Sequence, residues 1–255
     1  YILGEDVVSM YPDAGFARSA LSKAGFIVVQ DIFLTETAKM ADVVLPGASY
    51  AEKDGTFTNQ EGRVQRIRKA IQPVNGARGD LDILCSLGGF RYKCAGDVFD
   101  EIKKEAPAYK DITFDSLYGK GVLVKGEKIA LSGQQPVNRK DIVSQAEDKQ
   151  YPFFLITGNH LLHSGKLSQK ALVLKQLLPE PFVEISGKDA AEMGIKDGDM
   201  VTVKGRYHEV RLKIRVKKGS LKGVAFIAEN FEDIPVNLFF KKGEGIPRVK
   251  IIKSS

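Results

Sequence analysis

Alternating strand and helix patterns in the first 45 residues constrain the fold most tightly. Phe26–Gln30 is a continuous, largely β-branched run, typical of a strand buried on both faces of a parallel sheet, and Asp42–Leu45 is a second such run. Helical spacing of apolar residues predicts a helix over Ala14–Ala24 and a short one over Thr35–Ala41. With Tyr1–Gly4 as a first strand, the order is strand, helix, strand, helix, strand, which predicts a doubly wound parallel sheet.

The residues from Pro152 onward follow a different pattern, in which short alternating strands dominate. Ser186 is expected to cap a short helix over Lys188–Met193. Around Gly205, two clean alternations face each other as a hairpin. Strands are predicted over Phe153–Thr157, Phe182–Ile185, Met200–Lys204, Glu209–Val216 and Gly223–Ala228. The natural closure is a compact β-barrel of six or seven strands.

The middle of the chain carries weaker signals. Gly47–Gln65 is predicted to be a long polar loop without structure of its own, and loops of that length are usually functional or packed against another part of the protein. Helices are predicted over Asp80–Phe90 and Asp97–Glu105. Residues 110–150 are weakly periodic and are interpreted as a linker with one hairpin, formed by Val122–Val124 and Lys128–Leu131.

Composition excludes several classes of protein. No run of about 18 apolar residues exists, so the sequence predicts no membrane-spanning helix. The two cysteines, Cys85 and Cys94, have neither disulfide-scaffold nor metal-site spacing, and the three histidines form no ligand motif. No nucleophile–base arrangement is visible, so no catalytic residue and no metal ligand is predicted in this chain.

Positive charge is concentrated in the second half. Residues 151–255 carry 18 Lys and Arg against 11 Asp and Glu, whereas residues 1–150 carry 20 against 21. Lys213, Arg215 and Lys217 alternate along a predicted strand without stacking aromatics, and the chain has no Trp, which argues against nucleic acid. A phosphorylated cofactor or an acidic neighbouring subunit fits better, and a solvated strand face is the alternative for any single lysine.

Polar residues at the carboxyl ends of the predicted parallel strands form the candidate ligand site. Gly4, Glu5 and Asp6 follow the first strand, and Gln30 and Asp31 end the second. An acidic residue at such a position commonly accepts hydrogen bonds from ribose hydroxyls. As alternatives, Asp31 caps the next helix and Glu5 is simply solvated. The GxGxxG turn is absent, so the sequence shows no dinucleotide-binding fingerprint. The residues alone therefore indicate a nucleotide-type ligand between half a Rossmann-like sheet and a β-barrel.

Several longer stretches resemble the large subunits of the molybdopterin oxidoreductase family. The most specific part is the run from Gln30 to Gln65, with the sequence QDIFLTETAKMADVVLPGASYAEKDGTFTNQEGRVQ, above all from Asp42 onward. That family includes formate dehydrogenase alpha subunits and the G subunit of NADH-quinone oxidoreductase. The resemblance continues over Ala77–Leu84, Leu155–Asn159, His163–Gly165, Asp189–Gly194, Asp197–Asp199, Val236–Asn237 and Pro247–Lys250.

The resemblance implies an α/β architecture in which a partial Rossmann-like parallel sheet precedes a double-psi β-barrel. Residues 1–110 would form the C-terminal part of a Rossmann-like domain. Residues 111–150 would be a linker, and residues 151–255 would be the molybdopterin dinucleotide-binding barrel. The two domains would clamp a bis-molybdopterin guanine dinucleotide, whose pocket is occupied in some members and empty in others. The implied contacts are Gly4, Glu5, Asp6, Gln30, Asp31, Thr35, Thr37 and Asp42 on the guanosine and phosphate side, and Asn159, His163, Asn237 and Lys250 on the pterin side.

The resemblance also implies a place in electron transfer. Asn159 together with the His163–Ser168 segment looks most like the NADH-quinone oxidoreductase G subunit, which implies transfer from NADH toward quinone; a formate dehydrogenase alpha subunit is the alternative. The family's iron–sulfur cysteines and its metal-ligating Cys or selenocysteine match neither Cys85 nor Cys94. Because the chain opens on Tyr1, we expect a fragment that is not catalytic alone, with the [4Fe–4S] cluster in a preceding part of the subunit. Expected partners are other subunits of a respiratory or formate dehydrogenase complex. The expected location is the cytoplasm, with peripheral attachment to the inner membrane through those partners as a further option.

Overall fold

The structure is a computed structural model that describes residues 1–124, 148–231 and 233–254. The described residues fall into two compact units. The first contains Tyr1–Asp6 and the described residues from Ala24 to 124, and the second contains Val7–Lys23 and the described residues from 148 onward. The predicted boundaries near 110 and 150 stay predictions. Among the described residues, no helix is both long and apolar enough to cross a membrane.

A three-stranded parallel sheet lies in the first unit. Its strands are β1 (Ile2–Leu3), β2 (Val28–Asp31) and β3 (Val43–Pro46), in the order β1-β2-β3. The parallel sheet confirms the predicted α/β class, but the short helix expected over 35–41 is a 3₁₀ turn at Ala38–Met40. The prediction that the third strand is buried on both faces is wrong: its two valines are each nearly two-fifths exposed, because β3 is the outer strand of this small sheet.

The predicted structureless loop over residues 47–65 is also wrong, because it contains two paired strands. β4 (Gly55–Thr58) and β5 (Arg63–Ile67) form an antiparallel hairpin. Asn59 shapes its turn, since its Oδ1 accepts from the backbone N–H groups of Glu61 and Arg63 at 3.0 and 2.9 Å. β6 (Val122–Leu123) extends this sheet by pairing with β5. The other half of the hairpin predicted for Val122–Val124, residues 128–131, lies outside the described residues.

In the described part of the first unit, two helices lie at the predicted places. α3 (Asp80–Gly88) ends where Gly89 takes a left-handed φ of 68°. α4 (Ala95–Glu105) begins two residues earlier than predicted, because Asp97 accepts a hydrogen bond from the backbone N–H of Cys94 and closes a capping box. The hydrophobic core beside α4 consists of Val64, Phe99, Ile112 and Leu117.

The second unit is built on a closed six-stranded barrel, which confirms the predicted closure. Its order is β10-β8-β11-β7-β12-β9, with parallel pairs β7/β11 and β8/β10. The strands are β7 (Phe153–Gly158), β8 (Phe182–Ser186), β9 (Met200–Gly205), β10 (Glu209–Lys217), β11 (Val224–Ala228) and β12 (Arg248–Lys253). Inward side chains alternate with outward ones along β9 and β10 and form one apolar core.

Among the residues that the structure describes, four short helices belong to the same unit. α5 (Leu172–Leu177) follows a 3₁₀ turn at Lys166–Lys170, and α6 (Gly187–Met193) is capped by Ser186 as predicted. α1 (Val7–Met10) and α2 (Ala14–Leu21) lie between β1 and β2 in the sequence, yet their segment, Val7–Lys23, belongs to the unit that contains the barrel.

Asp13 and Asn237 anchor this early segment. Asp13 caps α2 by accepting from Phe16 N at 2.8 Å, and its other oxygen accepts from Lys242 N at 3.0 Å. The Asn237 amide donates to the carbonyl oxygens of Val8 at 2.8 Å and Tyr11 at 2.9 Å. The segment is therefore held to residues 237–242 by polar contacts at both of its helices.

Candidate functional site

Two parallel strands of the barrel end beside each other and open onto a cavity of about 200 Å³. The register pairs Gly158 of β7 with Ala228 of β11, and the backbone N–H of Glu229 continues the ladder by donating to the Gly158 carbonyl at 2.8 Å. Part of the wall is apolar and includes Met10, Ile234 and Phe240. The polar lining residues are Ser9, Thr157, Lys166, Glu229, Asn230 and Asn237.

Glu229 is held in place at the cavity by its neighbour on the adjacent strand. The Thr157 hydroxyl donates to Glu229 Oε1 at 2.6 Å. Among the described residues, Glu229 Oε2 has no hydrogen-bond partner. The carboxylate is therefore fixed in orientation while keeping capacity to accept hydrogen bonds from a ligand. Sequence reasoning missed this residue, although the matching carboxyl ends of two parallel strands are the signal that could have found it.

Asn230 organises the loop that follows β7. It is buried and has a positive φ of 69°, a conformation that Asn tolerates better than most residues. Its amide donates to Asn159 Oδ1 at 2.8 Å and to the His163 carbonyl at 3.1 Å. Asn159, a predicted pterin contact, is exposed and is hydrogen-bonded to Asn230, which lines the cavity. Sequence reasoning did not single out Asn230.

His163 is fully buried, and both ring nitrogens are engaged within its own loop. Nε2 lies 3.0 Å from the Leu178 carbonyl, which can only accept, so Nε2 carries a proton. Nδ1 lies 3.0 Å from Ser168 Oγ, and the ring edge packs on Phe231 at 5.0 Å between centroids. The side chain holds the loop in shape, and its predicted role as a pterin contact stays a prediction.

Asn237 and Lys250, the other two residues predicted on the pterin side, are placed differently. Asn237 lines the cavity, but its amide N–H groups are directed to the carbonyls of Val8 and Tyr11. Lys250 stands on β12 opposite Lys204 and does not line the cavity, so the structure does not bring it to the other predicted pterin-side residues.

Gly4, Glu5 and Asp6 lie directly after β1 in the first unit. Gly4 has a positive φ of 63°, and its N–H donates to the Gln30 carbonyl at 2.8 Å. Asp6 Oδ1 accepts from the Thr37 hydroxyl at 2.7 Å and from the Thr37 backbone N–H at 3.0 Å. The Gly4 bond joins the ends of β1 and β2, and the Asp6 bonds hold the residues after β1 to Thr37, while Glu5 remains exposed.

Gln30 is buried at the end of β2 in a network that sequence reasoning missed. Its amide donates to Asp80 Oδ1 at 2.6 Å, and its carbonyl oxygen accepts from the Tyr1 hydroxyl. Lys53 donates to the other oxygen of Asp80. Burial, with the nearby Asp80 charge, raises the pKa of Tyr1 above its ordinary value. Both functional atoms of the Gln30 side chain are engaged by protein, so its predicted ligand contact stays a prediction.

The remaining predicted residues of the first unit have local structural contacts. Asp31 Oδ1 accepts from Ile32 N at 2.7 Å and Phe33 N at 3.3 Å, as in an Asx turn. The alternative that Asp31 caps the next helix is wrong, because the N-cap of the following 3₁₀ turn is Thr37. Thr35 Oγ1 accepts from the backbone N–H of Ala38 at 3.2 Å. Asp42 Oδ2 accepts from the backbone N–H of Ile27 at 2.7 Å. Their predicted ligand contacts also stay predictions.

The cavity has a lining suited to binding a small molecule. Among the described residues, no group of three or more His, Cys, Asp or Glu side chains could hold a metal ion. The cavity in the second unit combines an apolar wall with a few fixed donors and acceptors, which is the usual composition of a small-molecule site.

Comparison with known proteins identifies both parts of the chain. The profile of the molybdopterin oxidoreductase family matches residues 1–90, and that of the molybdopterin dinucleotide-binding domain matches residues 153–250, which include most of the residues that line the cavity. The chain belongs to the molybdopterin oxidoreductase family. The predicted family and fold class are therefore confirmed.

Relatives of two kinds match nearly the whole chain. The F420-dependent formate dehydrogenase subunit alpha of Methanocaldococcus jannaschii is 39% identical over 93% of this chain and 39% of its own length. The NADH-quinone oxidoreductase G 2 subunit of Rhizobium meliloti is 35% identical over 96% of this chain and 29% of its own length. The chain thus spans about a third of each relative, and both relatives are oxidoreductase subunits by name.

A solved structure shows the same fold. Acetylene hydratase from Pelobacter acetylenicus superposes with a TM-score of 0.66, covering 98% of this chain and 43% of that chain, at 15% identity. This similarity agrees with the parallel sheet and the closed barrel described above.

Proposed function

We propose that this chain is the cofactor-holding part of a molybdopterin-dependent oxidoreductase large subunit. The observation that carries the proposal is the cavity at the ends of β7 and β11, most of whose lining residues belong to the dinucleotide-binding match. Such a cofactor, when bound, supplies two-electron redox chemistry at its metal. The residues of this chain would bind and orient it.

The lining of the cavity fits one end of this cofactor. A pterin is a flat, partly apolar ring with hydrogen-bonding atoms on its edges, and the cavity offers apolar contacts with Glu229, Thr157 and Lys166 as polar ones. Its volume of about 200 Å³ is below the ~300–1,000 Å³ of sites that enclose a drug-sized ligand. It would therefore take a single ring system, with the rest of a dinucleotide bound elsewhere.

We further propose the bis-molybdopterin guanine dinucleotide form, with nucleotide contacts in the first unit. Glu5, exposed after β1, and Asp31, exposed in part at the end of β2, are the acceptors best suited to ribose hydroxyls or to guanine N–H groups. Asp6, Gln30 and Thr37 would position them, because Asp6 bonds Thr37 and the Gln30 side chain bonds Asp80 at the start of α3.

Two oxidoreductases are candidates for the whole protein. A formate-oxidising alpha subunit is supported by the cavity and by the 39% identity to the archaeal relative. A G subunit of NADH-quinone oxidoreductase, as part of electron transfer from NADH toward quinone, is supported by 35% identity over 96% of the chain. In either case the [4Fe–4S] clusters would lie elsewhere in the large subunit, and partner subunits would complete the complex on the cytoplasmic side.

The test is the cofactor content of the intact natural protein. Near-stoichiometric molybdenum or tungsten, together with guanine nucleotide released on denaturation, would support the cofactor-holding function. Absence of both from natively purified protein would overturn it and leave a structural role within an NADH-quinone oxidoreductase. Asp31→Ala should lower nucleotide retention, whereas Asp54→Ala, an exposed aspartate in the same unit, should leave it unchanged.

A further inference from the structure

We propose that Glu229 and Thr157 recognise the N–H edge of a 2-amino-4-oxopyrimidine ring. That edge places an exocyclic amino group beside a ring N–H, and it occurs in both pterin and guanine. The inference rests on the proposed function. It says which kind of ring of the cofactor enters the barrel cavity and names Glu229 as the residue that recognises this ring.

The first step of the argument is the acceptor geometry of Glu229. The Thr157 hydroxyl has a single hydrogen, which it donates to Glu229 Oε1 at 2.6 Å, so the carboxylate has a fixed rotamer. Oε2 has no hydrogen-bond partner among the described residues, and Oε1 keeps a second lone pair. Two adjacent carboxylate oxygens match two adjacent N–H donors, and such charge-assisted pairs are stronger than neutral ones.

The second step is the charge of the cavity. Lys166 and Glu229 are the charged residues of its lining, so the lining has no net positive charge. A carboxylate repels phosphate oxygens at close range, which disfavours a pyrophosphate beside Glu229. A ring with N–H groups at one edge and a carbonyl oxygen beyond them suits a lining that contains one fixed carboxylate and one ammonium.

The third step is shape. The cavity volume of about 200 Å³ suits a bicyclic ring, and Met10, Ile234 and Phe240 supply apolar surface for its faces. Asn237 holds Met10 indirectly, because its amide donates to the carbonyls of Val8 and Tyr11 on either side. The apolar wall and the carboxylate therefore come from elements that are fixed independently.

The experiment compares matched ligands on the intact protein made in a host that cannot synthesise molybdopterin. The first pair is 6-hydroxymethylpterin and 6-hydroxymethyllumazine, which differ in the amino or oxo group at position 2. The second pair is GMP and IMP, which differ in the same amino group of the purine. Dissociation constants are measured by ligand fluorescence for the first pair and by calorimetry for the second.

For the wild type we expect pterin to bind about 10- to 100-fold more tightly than lumazine, because lumazine presents an oxygen to the carboxylate. Glu229→Gln should reverse this preference, since an amide offers one donor and one acceptor and so matches the lumazine edge. Glu209→Gln, which alters a carboxylate paired with Lys204 on β10, is the matched control and should leave both constants unchanged. A preference for GMP over IMP that exceeds the pterin preference would assign the guanine end to the cavity.

Equal binding of the two pterins to the wild type, or a preference that Glu229→Gln leaves intact, would overturn the inference. If the natural protein nevertheless contains the cofactor, the proposed function stands and only the assignment of Glu229 fails. If the natural protein contains no cofactor and neither ring binds, both fail. Selective ring binding without cofactor in the natural protein would support the assignment of Glu229 and count against the proposed function.

Discussion

Asn237 offers a quantitative test of how the early segment is attached to the barrel unit. Its amide is buried and donates two hydrogen bonds, to the carbonyls of Val8 at 2.8 Å and Tyr11 at 2.9 Å. A neutral hydrogen bond contributes about 1 kcal/mol net, and acceptors left unsatisfied add to the loss. Asn237→Ala should therefore lower the free energy of unfolding by about 2–3 kcal/mol.

Asn237→Asp is the sharper perturbation, because it keeps the size of the side chain and inverts its polarity. At pH 7 a carboxylate would face two carbonyl oxygens in a buried place, and an uncompensated buried charge costs about 3–5 kcal/mol. Burial and these carbonyls should raise the pKa of the introduced carboxyl in the folded state. The penalty is then full at neutral pH and falls as the pH drops toward the unfolded pKa, where both states are protonated.

The assay is thermal unfolding of the intact protein, followed by calorimetry or circular dichroism at pH 7 and pH 5. With about 2–4 °C per kcal/mol for a chain of this size, Asn237→Ala should lower Tm by roughly 4–12 °C. Asn237→Asp should lower Tm further than Asn237→Ala at pH 7, and much of this additional decrease should disappear at pH 5. Gln176→Ala, an exposed amide on α5, is the control and should change Tm by less than about 2 °C. An alanine variant as stable as the wild type, or an aspartate variant no worse than alanine at pH 7, would refute the reasoning.

Three further predictions concern the stability of other parts of the fold. Asp13→Ala removes both the cap of α2 and the bond to Lys242 N, and it should cost about 2–3 kcal/mol by denaturant titration. Those two backbone N–H groups lower the pKa of Asp13 in the folded state. The stability that Asp13 contributes should therefore be present above its pKa in the unfolded chain and disappear as the pH falls through its pKa in the folded protein. Equal acid sensitivity of the wild type and the variant would contradict this. In Gly121→Ala the new Cβ would lie 2.2 Å from the Val64 carbonyl oxygen, at a residue whose φ is 70°. Hydrogen exchange of the β6 amides should therefore accelerate at least about tenfold. Gly119→Ala is the control, because a Cβ at that position would meet no atom within 4 Å. Residues 151–255 alone should unfold cooperatively but at a lower temperature than the intact protein, and addition of a Val7–Lys23 peptide should raise that temperature; no effect of the peptide would argue against the attachment.

The regular elements followed from local patterns in the sequence. β2, β7 and β9 lie within one or two residues of their predicted bounds, because alternation and apolar runs depend on neighbours along the chain. The cap at Ser186 was predicted for the same reason. The hairpin β4–β5 was missed because polar side chains there obscured the alternation, although the turn from Asn59 to Gly62 carried a recognisable signal.

The candidate site depended on contacts that no local pattern contains. Thr157 and Glu229 are 72 residues apart and meet only because β7 and β11 pair in parallel. Gln30 and Asp80 are 50 residues apart, and sequence reasoning treated the first as a ligand contact and the second only as the start of a helix. Family resemblance directed attention to Asn159 and His163, but it could not show that the His163 ring is enclosed by its own loop.

The early segment also has a consequence for how the protein is made. Val8 leaves the ribosome near the start of this chain, whereas its partner Asn237 follows 229 residues later. At ~5–20 residues per second, roughly 10–50 seconds separate the two. During that time Val8, Ala14 and Ala17, which are buried in the folded unit, have no finished barrel to pack against. This apolar segment is therefore translated well before its permanent neighbours in the barrel unit, and a chaperone that binds nascent chains would find a substrate there.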